Sequence, residues 1–395
     1  MKKIKKVIDN NLCLGCGLCE SLISDCELKI NKKGFFEPKF LNSIDNYKKK
    51  LTEIEKICPS INITVEKNTN NNLLWGNIDK IHRGYSNNPE IRYKGSSGGV
   101  LTQAAVSLLE SGKVDKVLQI GANKITPIFN ETYLNESSED VLTCGGSRYS
   151  PSKLLSNIKE ELSLDEKFLI IGKPCDISAV KNYVKNKIEF KEKIIYTMSF
   201  FCAGIPSHNA TLELVSNLGV KKPDEINSFK YRGGGWPGEV QVSTKEGFSN
   251  ECSYEDSWGK LLGRDLNKRC KICPDGIGLE ADFVCADSWE SSNGYPDFED
   301  KPGYSLIISR NKKGTQLLDY LIGSNSITIE NTTIDEIKQV QPYQWHRIVF
   351  LGSRLLGARI KGYTFNFKGV NIIKKMFLGS LKLHIVNFIG ILKRI

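Results

Sequence analysis

Apolar and polar positions along most of this chain read as strand, helix, strand. Val100, Leu101, Ala104, Ala105, Leu108 and Leu109 recur at helical spacing behind a glycine-rich turn. Continuous apolar runs at residues 114–120, 168–171 and 194–201 predict strands, the last two followed by helices from about Asp176 and about His208. This alternation over residues 76–330 predicts a central α/β domain with a mixed sheet and right-handed crossovers. Residues 228–290 are richer in glycine, with short strands and a less regular pattern. Ahead of the domain lie a compact cysteine-bearing unit, residues 1–65, and a polar, asparagine-rich linker at 66–73. Behind it, residues 331–395 read as a basic helical C-terminal segment. There Ile372, Ile373, Phe377, Leu381, Ile385, Phe388 and Leu392 recur near every third or fourth position, and Lys374, Lys375, Lys382 and Lys393 fall largely between them. That row predicts one amphipathic face.

Charge sharpens this picture. The 395 residues carry 55 Lys and Arg against 45 Asp and Glu, a net +10. Residues 346–395 hold ten Lys or Arg and no acid, which leaves 45 of each sign in the first 345. The surplus is local, so it argues for a local anionic partner and against general nucleic-acid binding. The basic start, Met1 to Val7, runs into Asp9, Asn10 and Asn11 with no apolar stretch, unlike a signal peptide. The longest apolar run, residues 376–392, is broken by Lys382 and His384, so a membrane span is not expected. A cytoplasmic chain follows, with anionic membrane contact through 346–395 as an open option. Its twelve cysteines are then ligands, reactive thiols or core residues rather than disulfides.

Cys13-Leu-Gly-Cys16-Gly-Leu-Cys19, joined by the distant Cys58-Pro59, is the spacing of a [4Fe–4S] site. Three thiolates wrap one face of a cubane and a remote cysteine holds the fourth iron. Zinc is the rival, but zinc sites favour paired C-x-x-C knuckles. Cys26 falls outside the spacing and reads as a plain thiol. A second, dispersed set is Cys175, Cys202, Cys270 and Cys273. Cys175 and Cys202 each follow a predicted strand, at the sheet edge where α/β folds hold cofactors. Cys270 and Cys273 form a knuckle that needs two more ligands. The pattern alone leaves two readings open, four cysteines on one centre or two small core residues beside a knuckle. Cys144, Cys252 and Cys285 have no partner spacing and are expected to be structural.

Lys94-Gly95-Ser96-Ser97-Gly98-Gly99-Val100 opens a helix, with Ser96 or Ser97 as expected cap and amides free to meet a pyrophosphate. A bulky residue at Gly98 is expected to block that approach without harming the fold. The loop is neither G-x-G-x-x-G nor Walker A. Ser147, Arg148 and Tyr149, and Arg232 and Gly233 with their neighbours, add donors, cations and rings suited to a flavin, with Lys173 as a further cation.

Together these segments resemble one family, the beta subunit of coenzyme F420 hydrogenase/dehydrogenase, which also takes in plant 7-hydroxymethyl chlorophyll a reductase. The resemblance rests on the Cys13/Cys16/Cys19 loop, residues 95–100, 146–149, 172–175, 201–204 and 231–238, and the stretch from Arg269 to Trp289. It departs at Cys285-Ala286-Asp287, where the family usually has Gly-Asp. It implies FAD in the central domain with a [4Fe–4S] cluster beside it on Cys175, Cys202, Cys270 and Cys273. A second cluster is implied in the ferredoxin-like N-terminal unit. The C-terminal 50 residues lie outside the match, as in members encoded among polysaccharide-synthesis proteins.

The expected activity is that of an oxidoreductase: electrons pass between clusters and FAD, and hydride moves to or from an organic substrate or a deazaflavin coenzyme. A ferredoxin-like protein or a deazaflavin is the expected donor or acceptor, and a homo-oligomer is compatible with the chain. The alternative is an electron-transfer subunit without its own substrate, docked on a larger enzyme. The four histidines, His82, His208, His346 and His384, fall in no triad or zinc motif.

Overall fold

Four parallel strands form the middle of the central sheet in the computed structural model, which describes residues 2–292, 295–296 and 301–395. The sheet has eight strands, numbered here in chain order. They are β1 (Lys80–Ser86), β2 (Lys116–Ala122), β3 (Asn130–Asn135), β4 (Phe168–Ile171), β5 (Ile194–Phe200), β6 (Phe283–Asp287), β7 (Ser305–Ser309) and β8 (Ile327–Asn331). Their spatial order is β8-β1-β7-β6-β5-β4-β2-β3. β2, β4, β5 and β6 run parallel, while β3, β7 and β8 each run antiparallel to their neighbours, so the sheet is mixed.

Every residue of β4 and β7 is buried, because helices and loops cover both faces. Successive side chains point to opposite layers. Phe168 and Ile170 join one core with Ile177 and Val180 of α2 (Pro174–Val184). Leu169 and Ile171 join another with Ala104 of α1 (Val100–Glu110) and Leu317 of α4 (Lys312–Gly323). A third core joins α3 (His208–Asn217) to a small antiparallel sheet of Ile226–Lys230, Val240–Thr244 and Ser249–Cys252.

The N-terminal residues build their own core around Ile4, Val7, Leu12, Ile23, Leu51, Ile54 and Ile61. The far end of the chain closes it. Tyr363 and Phe365 pack on that core, and Asn366–Lys368 pairs in parallel with Asn62–Thr64. Leu18, Ile63 and Val65 meanwhile reach into the core on the α2 face of the sheet.

The segment after β8 carries α5 (Pro342–Val349), α6 (Leu351–Ile360) and α7 (Leu381–Arg394). The expected apolar row does not form one buried face. Ile373, Phe377, Leu381 and Ile385 are exposed. The helix at Ile372–Met376 stops, and α7 restarts behind Ser380, whose hydroxyl accepts from the Leu383 amide. The 3.6-residue period is therefore interrupted, and the phase of the second helix is set anew.

Candidate functional site

Cys13, Cys16 and Cys19 lie on and after a loop that turns into the short helix Leu18–Leu22, and Cys58 caps the end of helix Lys48–Ile57. Gly17 holds φ +100° there, and a β-carbon on it would fall 2.4 Å from the Ser156 amide. Only glycine lets the loop lie this close to the central domain, where the Leu155 amide donates to the Cys16 carbonyl at 2.8 Å. The four cysteines line one narrow, mostly apolar cavity with Ile4, Val7, Leu28 and Pro38. Burial pushes the Cys13 thiol up to about 12 and those of Cys16 and Cys19 well above their ordinary value, and the neighbouring thiols reinforce this. Cys58 is raised less, because the Ser60 and Ile61 amides and the Arg269 charge favour its thiolate. Cys26 packs in the N-terminal core and does not line the cavity.

The second set gathers at the carboxyl edge of the sheet. Cys175 follows β4 at the start of α2, and Cys202 follows β5. Cys270 and Cys273 sit in and just after the turn Lys268–Ile272. Burial raises the thiols of Cys175, Cys202 and Cys270, the last to about 12, and each feels the charge of others in the set. Two cations face them, Lys173 buried and Arg347 half-buried. Arg347 donates to the Cys202 carbonyl at 2.7 Å and to the Cys270 carbonyl at 3.2 Å, and its charge favours both thiolates. Lys173 lies 2.7 Å from Asp176 and donates to Ser152 at 2.6 Å. Burial alone would lower its pKa, but Asp176 and the adjacent thiols hold it above the ordinary value.

The two sets abut. Leu14, between Cys13 and Cys16, packs with Cys175, Ile205 and Cys270 in one small cluster. Asn267 donates to the Cys13 carbonyl at 2.8 Å. Arg269, fully buried, donates to the Ser60 and Pro59 carbonyls at 2.9 and 3.2 Å. Among the described residues, no three His, Cys, Asp or Glu side chains stand close enough to hold a single metal ion. A tetrahedral zinc would draw its four sulfurs to about 2.3 Å from one point. A cubane carries each thiolate on a different corner and accepts a wider ring. The buried and half-buried soft donors of each set therefore suit a cluster better than a lone ion.

A third constellation lies on the same edge. Gly99 caps α1 with φ +74° and no side-chain hydrogen bond. Ser96 and Ser97, the expected caps, are engaged elsewhere. Ser96 accepts from the Ser147 amide at 2.7 Å, and Ser97 donates to the Tyr304 carbonyl at 3.0 Å. They lace neighbouring loops together instead. Gly98 also differs from expectation. Its amide donates to Ser305 at 3.0 Å, and a β-carbon on it would lie 2.5 Å from the Gly84 carbonyl oxygen. It is glycine because strand backbone presses on it, so a larger residue there would disturb the fold. The turn after Arg232 crosses the same place, where the Gly234 amide donates to the Tyr93 carbonyl at 3.1 Å and Gly233 passes close to Lys94.

Arg232 is buried and pairs with Asp287 at 2.8 Å, with Tyr254 and Trp289 rings each 4.9 Å away. Trp236 stacks on Trp289 at 4.6 Å. Two buried donors of this loop, Arg232 Nη2 and Trp236 Nε1, have no hydrogen-bond partner among the described residues. Arg148 is a different case. Its Nε and Nη2 are committed to Asn130, Pro127 and Phe129, and its guanidinium lies over Tyr231. Tyr149 packs against Tyr231 and Trp258. The sequence reading counts the Trp236 ring among those suited to a flavin, but it gives no role to Trp289, Tyr254, Arg269 or Arg347. Trp236, Trp289 and Arg269 stand in the resembling segments, so a signal exists for them, while nothing local marks Arg347.

Residues 81–159 match the N-terminal part, and residues 165–335 the C-terminal part, of the family described as coenzyme F420 hydrogenase/dehydrogenase, beta subunit. The F420-dependent formate dehydrogenase 1 subunit beta of Methanococcus maripaludis is 26% identical over 59% of this chain and 57% of its own length. The coenzyme F420-dependent sulfite reductase of Methanocaldococcus jannaschii is 23% identical over 86% of this chain and 50% of its own. The coenzyme F420 hydrogenase subunit beta of Methanococcus voltae is 25% identical over 67% of this chain and 88% of its own. The chain spans between half and two thirds of the length of the first three curated relatives it matches. A chain of the F420-reducing [NiFe] hydrogenase complex from Methanosarcina barkeri shares the fold, with a TM-score of 0.53 at 20% identity over 71% of this chain and 91% of that one.

Proposed function

This chain belongs to the coenzyme F420 hydrogenase/dehydrogenase beta-subunit family, and from that premise we propose that it is a flavin and iron–sulfur oxidoreductase. In this reading Cys13, Cys16, Cys19 and Cys58 hold one [4Fe–4S] cluster, and Cys175, Cys202, Cys270 and Cys273 hold another. FAD lies beside the second, among the loops at the carboxyl edge of the sheet. The observation that carries the reading is the contact between the two cysteine sets through Leu14, Asn267 and Arg269, with the second set on the sheet edge that also bears the laced loops. A bound flavin would exchange hydride with an organic partner or a deazaflavin and single electrons with the clusters.

The residues have separable tasks. All eight cysteines must lose a proton to ligate iron, and burial raises the thiols of Cys13, Cys16, Cys19, Cys58, Cys175, Cys202 and Cys270 against that loss. Lys173, Arg347 and Arg269 are the fixed charges that favour the ligating thiolates. The first turn of α1 offers amides to a pyrophosphate. Arg232 Nη2 and Trp236 Nε1 offer two further donors, beside the stacked Trp236 and Trp289 rings. Packing of Leu14 and Ile205 between the sets excludes water from the space separating them.

The formate dehydrogenase and hydrogenase relatives are subunits of larger enzymes, which favours a second reading, an electron-transfer subunit with no substrate of its own. The isolated chain, given a reduced deazaflavin and a low-potential viologen dye, separates the two. Deazaflavin-dependent dye reduction is the expected result. A chain that exchanges electrons with the dye but takes no hydride from the deazaflavin supports the second reading. A ferredoxin-like protein in place of the dye tests the natural partner class.

A further inference from the structure

We propose that α7 and the short helix before it form a docking face for an anionic lipid surface. The inward face of α7 is fully accounted for by the protein. His384 lies 2.6 Å from the Ser353 hydroxyl and 2.8 Å from the Met376 carbonyl, Asn387 accepts from Arg354 at 2.8 Å, and Ile391 is buried against α6. The opposite face should then be polar, and it is not. Ile385, Val386 and Ile389 stand 50, 56 and 44% exposed. Just before them Ile373, Phe377 and Leu381 are 74, 85 and 77% exposed. A helix that is apolar on both sides is normally covered on both. Apolar surface gathered in this way marks an interaction site rather than ordinary scatter.

Charge selects the occupant. On a helical wheel Lys382 and Lys393 flank Val386 and Ile389 on the outward face, and Lys374 lies beside Ile373. Residues 346–395 contain ten Lys or Arg and no acid, whereas the first 345 are neutral. Apolar side chains rimmed by lysines, with no carboxylate to repel phosphate, match the boundary between acyl chains and anionic headgroups. The lysine stems reach along the apolar face while their ammonium groups stay among the phosphates. No helix among the described residues is long and apolar enough to cross a membrane, so the contact is in-plane.

The test is co-sedimentation of the full chain with phosphatidylglycerol-containing vesicles and with pure phosphatidylcholine vesicles, at low and high salt. The chain should pellet with the anionic vesicles at low salt, less so at high salt, and not with the neutral ones. Lys382→Gln with Lys393→Gln should weaken partitioning about 30-fold, at roughly fivefold per lysine. Val386→Ser with Ile389→Ser should abolish pelleting and leave the unfolding midpoint unchanged. Truncation would be a poor substitute, because Val370 is buried in the main core and Met376 packs on Gly352. The proposal is overturned if the chain ignores anionic vesicles at low salt, or binds neutral ones equally. It is also overturned if the serine pair unfolds the protein, since the face would then belong to the core. A dimer that the serine pair splits would assign the face to a second copy instead.

Discussion

His208 shows how one side chain can make stability depend on pH. It stacks on Phe129 at 4.6 Å and meets Phe36 edge-on, and its Nε2 has no partner among the described residues. Burial lowers its pKa to about 4, and a hydrogen bond to the Pro151 backbone offsets only part of that. Between about pH 4 and 6.5 the unfolded chain binds a proton that the native one does not. The contribution is therefore complete above about 6.5 and is lost as pH falls from there toward 4, to a total of about 3 kcal/mol. His208→Phe keeps the stacking and should flatten this window in thermal unfolding followed from pH 7 to 5. Parallel curves for the two proteins would show that His208 is not the source. Gly98 makes the opposite point, that a glycine in a ligand-like motif can be structural. Gly98→Ala forces a β-carbon onto the Gly84 carbonyl and the Ser305 amide and should destabilise the protein by about 1–3 kcal/mol. Denaturant titration of the variant checks this, and an unchanged midpoint would mean the strand yields. Flavin loss there would follow from the fold and would not by itself locate a phosphate site.

Among elements, those with continuous apolar runs were legible in the sequence. β4 reads Phe-Leu-Ile-Ile, and β5 begins Ile-Ile, because both faces of these strands are covered. β1, Lys-Ile-His-Arg-Gly-Tyr-Ser, and Asn366–Lys368 gave no such signal. Their pairing depends on partners far along the chain, Ser305–Ser309 and Ile327–Asn331 for β1 and Asn62–Thr64 for the other. The late strand has a definite task. Phe365 and Phe367 stack at 5.3 Å, and the buried Arg269 guanidinium lies 5.4 and 4.9 Å from their rings. The far end of the chain thus clamps the cysteine loops that Arg269 joins. Phe367→Ala should cost about 2 kcal/mol, less than a fully buried Phe because the ring is only half-buried. Hydrogen exchange should quicken at Asn62–Thr64 and Asn366–Lys368 while β4 and β5 stay protected. Uniform acceleration across the sheet would contradict a local clamp.

At the scale of the whole molecule, the cysteine pattern carried much of the site. The first set was legible from spacing alone, because three of its members share one loop. The second needed the strand ends to be placed, since Cys175 and Cys202 meet the Cys270/Cys273 turn only when β4 and β5 lie side by side. The contact between the sets was not legible, because it runs through Leu14, Asn267 and the buried Arg269, whose roles exist only in three dimensions. The layout also separates the sets in consequence. Cys13, Cys19 and Cys58 pack in the N-terminal core, Cys16 leans on the central core, and Cys175 starts a helix of the central domain. The central claim is two clusters with one flavin beside the second, and it is tested by anaerobic purification with iron, acid-labile sulfide and flavin quantified per chain. The wild-type chain should give about eight irons, eight sulfides and one FAD. Cys16→Ser should give about four irons with FAD retained, and Cys273→Ser about four with FAD reduced. Zinc in place of iron, four irons in the wild-type chain, or equal flavin loss in the two variants would contradict the account.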